Sequence, residues 1–268
     1  MKTFKSYINE KLTLNNQSKL ITYTYHPKDA DELRSMIWTR EYGFMNNYGK
    51  LDLTEIDVSN LKRMNIDVDK SRTDKKIGVL QHTGAIEIDI STWNMSNVED
   101  MDYMFAENEQ LLKIHFPKDM KKNLKNVKRM DNMFEWCKQL DMNVSNWDVS
   151  NVEQTNNMFY RCENFKGEGL EKWKTPKMQS ALGMFENCIK LDTDFKDWDI
   201  HNCSSIASMF YNCQKLNCNF DNWDISMVIK IANITNRSMK EELRNMFKHC
   251  NNMKKLPDWY IKYIEDWI

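Results

Sequence analysis

Two hydrophobic periods alternate along the chain. Segments such as Leu112-Lys-Ile114-His-Phe116, Leu140-Asp-Met142-Asn-Val144, Leu191-Asp-Thr193-Asp-Phe195 and Leu216-Asn-Cys218-Asn-Phe220 put larger or less polar residues at every second position. That is the spacing of a half-buried strand, whose side chains point alternately to two faces. Ile86-Glu-Ile88-Asp-Ile90 opens the series. Phe165 to Leu170 is its equivalent, one residue longer and carrying Gly167 and Gly169, which predicts a bulge or bend there. The second period is a stripe at i, i+3, i+6, i+7 and i+10: Val98, Met101, Met104, Phe105 and Asn108, then Val127, Met130, Met133, Phe134 and Cys137. It predicts a short helix. Ser96-x-x-Glu99, Ser150-x-x-Glu153 and Ser238-x-x-Glu241 fit capping boxes at helix starts.

The two periods recur as a unit. A Met-Phe pair stands at Met104-Phe105, Met133-Phe134, Met158-Phe159, Met184-Phe185, Met209-Phe210 and Met246-Phe247, at spacings of 29, 25, 26, 25 and 37 residues. Cys137, Cys162, Cys188, Cys213 and Cys250 follow five of these pairs at one fixed offset, and Asn108 takes that place after the first. Trp147, Trp173, Trp198 and Trp223 keep the same period, with Trp93 a double period earlier. Each turn of roughly 25 residues is therefore expected to run strand, Trp corner, short helix. No unit buries both its strand face and its helix stripe alone, so stacking on neighbours must complete the core. The prediction is an α/β solenoid of about seven turns.

The ends depart from the pattern, as terminal turns with an exposed core face must. Residues 1–19 are expected to be a tail or targeting peptide, 20–50 a cap, 51–256 the repeat solenoid and 257–268 a closing helix. In the first cap, Leu20 to Tyr25 fits a strand and Asp29 to Tyr42 a helix. Ser59-Asn60-Leu61-x-x-Met64 is a degenerate first turn. The closing helix carries Trp259, Tyr260, Ile261, Tyr263, Ile264, Trp267 and Ile268. Residues 65–79 and 227–238 are expected to be loops at corners.

Charge and chemistry narrow the function. With 38 Lys plus Arg against 39 Asp plus Glu, the field that draws a protein to nucleic acid is missing. No stretch reaches the ~20 apolar residues of a membrane span, and the start lacks the apolar core of a secretory signal, so a cytoplasmic location is expected. The seven cysteines contain no C-x-x-C pair and are odd in number, which favours buried free thiols over a metal site or a disulfide framework. His249 and Cys250 are neighbours whose side chains diverge, and seven glycines write no phosphate-binding loop. No catalytic residue, metal or cofactor is expected. Lys118, Lys121, Lys122, Lys125, Lys128 and Arg129 form one basic run, either a solvated face or a patch for an acidic partner.

The candidate binding residues are the alternate positions of the strands: Glu87, Asp89, Lys113 and His115 in the first two, Asp141, Asn143, Lys166 and Glu168 in the middle, and Asp192, Asp194, Asn217 and Asn219 in the last. All are polar, six are acidic, and stacking would line them along one sheet face.

The run Trp147-Asp-Val-Ser-Asn-Val-Glu-x-x-x-x-Met158-Phe159-Tyr-x-Cys162 closely resembles the repeat of the BspA-like leucine-rich-repeat proteins of mycoplasma surface lipoproteins, gut bacteria and tailed phages, over about residues 50–256. The resemblance implies a right-handed solenoid of leucine-rich-repeat type and a binding role. Unlike surface-exposed members, the sequence shows no signal peptide or lipidation cysteine, which argues against an adhesin role; a tailed-phage member is expected. Met1-Lys-Thr-Phe-Lys-Ser-Tyr-Ile8-Asn9-Glu10 resembles head-targeting peptides of T-even-type phage internal proteins, and that resemblance makes Glu10 a processing site. The alternative is that Phe4, Tyr7, Ile8 and Leu12 form one face of a docking helix. The function expected is a non-catalytic module that grips a host or virion protein. A packaged virion component is the second reading, and a surface adhesin a distant third.

Overall fold

The computed structural model describes residues 23–39, 43–69 and 72–264. The N-terminal peptide with Glu10, and the predicted closing helix beyond Ile264, lie outside them. Helix α1 (Ala30–Trp38) starts where Asp29 accepts the Glu32 N–H at 2.9 Å, and its Leu33, Met36 and Ile37 are buried. Of the expected 29–42 helix, residues 40–42 lie outside the described residues, and the Thr39 N–H closes the last described turn on Ser35 O. Of the expected 20–25 strand, residues 20–22 likewise lie outside them, and Tyr25 makes a single parallel bridge to Ile56.

Both predicted corner loops have regular structure. Residues 65–79 contain an antiparallel hairpin of β2 (Asn65–Asp69) and β3 (Arg72–Gly78), after β1 (Lys50–Asp52). The alternation Ile66-Asp-Val68-Asp carries the strand signal through a highly charged stretch. Residues 227–238 are mostly helix α3 (Ser226–Thr235), which buries Val228 and Ala232 one turn apart and ends on the left-handed Asn236 (φ 56°). The short α4 (Met239–Glu242) follows with the capping box predicted at Ser238 and Glu241. Helix α5 (Asp258–Ile264) comes last.

Regular strands exist only in the first turns. β1, β4 (Glu87–Asp89) and β5 (Lys113–His115) form one parallel sheet, with Lys50, Glu87 and Lys113 in register and Leu51, Ile88 and Ile114 beside them. Among the described residues the later turns lack ladder strands there, although Val144 N–H still reaches Glu168 O at 2.9 Å and Asp192 N–H reaches Lys166 O at 3.0 Å.

The predicted per-turn helices are not helices. From Met101 to Asn108 the chain makes successive tight turns, Met104 N–H to Met101 O at 3.2 Å and Ala106 N–H to Tyr103 O at 3.0 Å. Each such segment carries two left-handed residues four apart: Tyr103 and Glu107, Asn132 and Trp136, Asn157 and Arg161, Gly183 and Asn187, Ser208 and Asn212, Asn245 and His249. Asparagine is frequent there because its short polar side chain tolerates that conformation. Turn closure at i to i+3 places apolar residues at the spacing a helix would use, which is why the pattern reads as helical. The capping boxes expected at Ser96 and Ser150 do not form. The Glu99 and Glu153 N–H groups they would serve donate instead to Lys62 and Lys128 carbonyls at 2.7 and 2.8 Å. The serine N–H groups donate to Asn94 and Asp148. Helix α2 (Met120–Leu124) fills the longer second unit.

A main-chain ladder joins these segments. The N–H groups of Met130, Asn132, Phe134 and Trp136 donate to the carbonyls of Gln154, Asn156, Met158 and Tyr160 at 2.8–2.9 Å. The carbonyls of Arg129, Asp131, Met133 and Glu135 meanwhile accept from Met101, Tyr103, Phe105 and Glu107. Every second residue thus points its N–H toward the following turn. Of the residues between, Met133 and Glu135 close turns on Met130 and Asn132 at 3.3 and 3.1 Å, and the Asp131 N–H donates to the Asp102 side chain.

Side chains continue the stack. Phe105, Phe134, Phe159, Phe185, Phe210 and Phe247 are parallel at 5.3–5.8 Å between centroids. Trp147, Trp173 and Trp198 stack at 6.2 and 5.8 Å. The indoles of Trp93, Trp173, Trp198 and Trp223 each donate to a carbonyl of the preceding turn at 2.9–3.1 Å, and Trp259 extends the series to Phe220 O at 2.8 Å. Asn60, Asn97, Asn126, Asn151 and Asn202 likewise tie the polar corner to the turn before.

Candidate interaction surface

None of the twelve strand-face candidates is buried. Glu87, Asp89 and His115 are half-buried and the other nine exposed. The sheet brings the first group together: His115 Nε2 lies 2.8 Å from Glu87, and Lys50 Nζ lies 3.0 Å from Asp89 and 3.6 Å from Glu87. The hydrogen bond from His115 holds the Glu87 carboxyl below the usual range, and Asp89 is lowered as well, because hydrogen bonds from Ser91 and Lys50 outweigh its partial burial. Farther along, Lys166 pairs with Asp141 at 2.6 Å, and Asn143 donates to Glu168 at 2.5 Å. The Lys166 ammonium is raised by the carboxylate it bonds.

Four of the twelve have a local duty. Asp89, Asn143, Asp194 and Asn219 each accept the N–H two residues on, from Ser91, Ser145, Lys196 and Asp221 at 2.8–3.1 Å. Each therefore starts an Asx turn four residues before a tryptophan. At the equivalent place before Trp173 stands Gly169, left-handed at φ 95°, with Leu170–Lys172 a short 3-10 turn. This is the bend anticipated from the two glycines. A Cβ on Gly169 would lie 2.2 Å from Ser145 N, so no side chain fits. Asn217 accepts from the Lys254 N–H at 3.4 Å, and beside it lies a hollow of about 290 Å³. The side chains of Lys113 and Asp192 have no hydrogen bond or ion pair among the described residues, leaving them available to a partner.

A second polar cluster, absent from the sequence reading, lies along the tight-turn segments. Lys76 Nζ bridges Asp100 and Asp102 at 2.5 and 2.9 Å, and Arg129 bridges Asp102 and Asp131 at 2.9 and 2.6 Å. Asp102 also accepts the Asp131 N–H, Asp131 that of Asn156, and Asn156 that of Leu182, at 2.7–3.0 Å. Burial, followed by the charge of Asp102, raises the Asp131 carboxyl to about 6 against the pull of Arg129. The sequence signal was an Asp or Asn two residues before each of three Met-Phe pairs. Arg129, read there as the end of a basic run, belongs to this network.

The cysteines also have specific partners. The thiols of Cys137, Cys162, Cys188, Cys213 and Cys250 donate to the carbonyls of Phe105, Phe134, Phe159, Phe185 and Phe210 at 2.9–3.1 Å. Asn108, in the cysteine position of the first pair, donates to Leu80 O at 2.7 Å. Burial pushes the Cys137 and Cys250 thiols up to about 12, and Cys162 and Cys213 well above the ordinary value. All seven thiols are free. Among the described residues no group of three or more His, Cys, Asp or Glu is placed to hold a metal ion, and no helix is long and apolar enough to cross a membrane.

Comparison with known proteins places these turns in a recognised repeat group. The family described as "Mycoplasma protein of unknown function, DUF285" matches twice, over residues 41–168 and 128–243. No curated protein and no solved structure matches the chain. The overlapping matches cover the Met-Phe units up to Phe210 and agree with the resemblance to BspA-like repeats. The chain therefore belongs to the DUF285 family of mycoplasma-type repeat proteins.

Proposed function

We propose that the stacked turns form a right-handed solenoid of leucine-rich-repeat type whose role is to bind a protein, without catalysis, through the polar face that starts on the β1, β4 and β5 sheet. The observation that carries this reading is the row of twelve polar residues, none buried, that successive turns hold by turn-to-turn pairs such as Lys166 with Asp141. Lys113 and Asp192 stand in that row with side chains uncommitted among the described residues. Backbone groups are consumed in stacking, so specificity falls to these side chains. The partner we favour is a host or virion protein met in a bacterial cytoplasm by a phage-encoded chain. Affinity capture from the native host tests this, with Asp192→Lys and Asp194→Lys combined as the control. Reversing two charges should abolish capture of the specific partner, and undiminished capture would remove this face from the function.

A second reading rests on Met1 to Glu10, whose Ile8-Asn9-Glu10 fits a prohead processing site. It makes the protein a packaged virion component. Mass spectrometry of the native protein separates the two: a chain starting at Lys11 supports packaging, and an intact Met1 opposes it.

A further inference from the structure

The main-chain ladder points one way, and its rear edge is open. Ser208, Phe210 and Asn212 donate their N–H groups forward to Arg244, Met246 and Lys248 carbonyls at 2.8–3.1 Å. The equivalent donors of the last turn are the N–H groups of Asn245, Phe247 and His249: that of Phe247 faces the Tyr260 hydroxyl, and those of Asn245 and His249 meet no acceptor among the described residues. Asn245 and His249 repeat the left-handed conformation of Ser208 and Asn212, so the last turn has the shape of a turn ready to be stacked upon.

The surroundings indicate what would sit on the open edge. Helix α5 covers the aromatic side of the last turn, Tyr260 meeting the Phe247 ring edge-on at 5.0 Å and its hydroxyl facing the Phe247 N–H, but leaves the amides of Asn245 and His249 open. Beside them a cavity of about 380 Å³ is lined by Leu243, Phe247, Leu256, Tyr260 and Ile264, with Arg244 and Lys248 on its rim. Arg244 and Lys248 are exposed and form no ion pair among the described residues. An edge that offers open donors at Asn245 and His249 calls for a row of main-chain acceptors at the same spacing. The two cations call for acidic side chains on that row.

We propose that the rear edge of the last turn binds an acidic polypeptide segment of a partner, which adds to the ladder as one further turn through carbonyls paired with Asn245 and His249.

The test uses the full chain and a synthetic peptide copying residues 178–191 with Cys188→Ser and with Lys190→Glu, which makes it acidic. In the intact protein that segment offers carbonyls of Ser180, Leu182, Met184 and Glu186 to the turn before it, and its carboxylates would face Arg244 and Lys248. Amide exchange should be about 100-fold faster at Asn245 and His249 than at Ser208 and Asn212 in the free protein. Saturating peptide should slow both by at least about tenfold. Arg244→Glu with Lys248→Glu, at exposed positions that leave the core intact, should weaken peptide binding about tenfold. Equal protection of the two pairs without peptide, absence of peptide binding, or binding that leaves the Asn245 and His249 rates unchanged would each overturn the proposal. Protection that instead rises with protein concentration alone would assign the edge to self-association and overturn the choice of partner.

Discussion

Replacing Trp173 with alanine should reveal how far stability depends on contact between turns. The indole is 1 % exposed, stacks between Trp147 and Trp198 at 6.2 and 5.8 Å, and donates to Val144 O at 3.1 Å. Truncation of a buried Trp costs about 3–5 kcal/mol through lost transfer energy and the cavity left behind. Leaving a buried carbonyl without its donor adds about 1 kcal/mol. At about 2–4 °C of melting temperature per kcal/mol for a chain near this size, the loss should lower Tm by roughly 10–20 °C. Because the ring contributes to two interfaces, the transition should also broaden as the array divides on either side of it. Thermal and urea unfolding followed by far-ultraviolet circular dichroism would measure both effects. Trp38, which is 43 % exposed, is the control, and its alanine variant should lose less than about 1 kcal/mol. A Trp173→Ala variant melting within about 2 °C of the parent would refute the argument that the turns share one core.

Other expectations follow from single sites. The ladder thiols, raised by burial to about 12 at Cys137 and Cys250 and well above the ordinary value at Cys162 and Cys213, should resist iodoacetamide at pH 8 in the native protein and react on denaturation; rapid native alkylation of Cys162 would contradict their burial. Asp131, raised to about 6, lies above its unfolded value, so the native state binds the extra proton: stability should rise as pH falls from 7 toward 4 and be lost as pH climbs through 6, by at most about 3 kcal/mol. Asp131→Asn keeps the oxygen that accepts from Asn156 and should flatten that dependence, as urea midpoints across pH would show; an unchanged slope would clear Asp131 of the effect. Gly169→Ala should cost about 2–4 kcal/mol, from left-handed strain and a Cβ placed against Ser145, and a neutral urea midpoint would mean the bend can relax.

What the sequence revealed follows from which interactions leave a trace in residue type. Met-Phe pairs, tryptophans and cysteines recur because each occupies a column whose neighbours are its own counterparts, and one spacing therefore reports one contact. The nature of the intervening segment was hidden, since a run of tight turns and a short helix both repeat their apolar positions about every three residues. The hairpin at 65–78 was missed because charge masked its apolar face, and helix α3 because its β-branched Val228, Ile229 and Ile231 are weak helix signals. Trp259, assigned to the closing helix, also continues the indole series to Phe220, displaced by the longer last unit. On the binding face, sequence alternation found the polar residues. It could not separate those committed to Asx turns, such as Asp194 and Asn219, from Asp192 and Lys113, because that difference lies in hydrogen bonds to main chain.

The 37-residue step between Phe210 and Phe247 bears on how such a chain tolerates change in length. Helices α3 and α4 are accommodated between Trp223 and Leu243, yet Ser208, Phe210 and Asn212 still find their acceptors in the last turn. Extra residues are thus expelled sideways at a corner and leave the spacing of the turns unaltered. The same corner is where a foreign loop or a reporter domain should be grafted, and where related chains should vary in length while their aromatic column stays continuous.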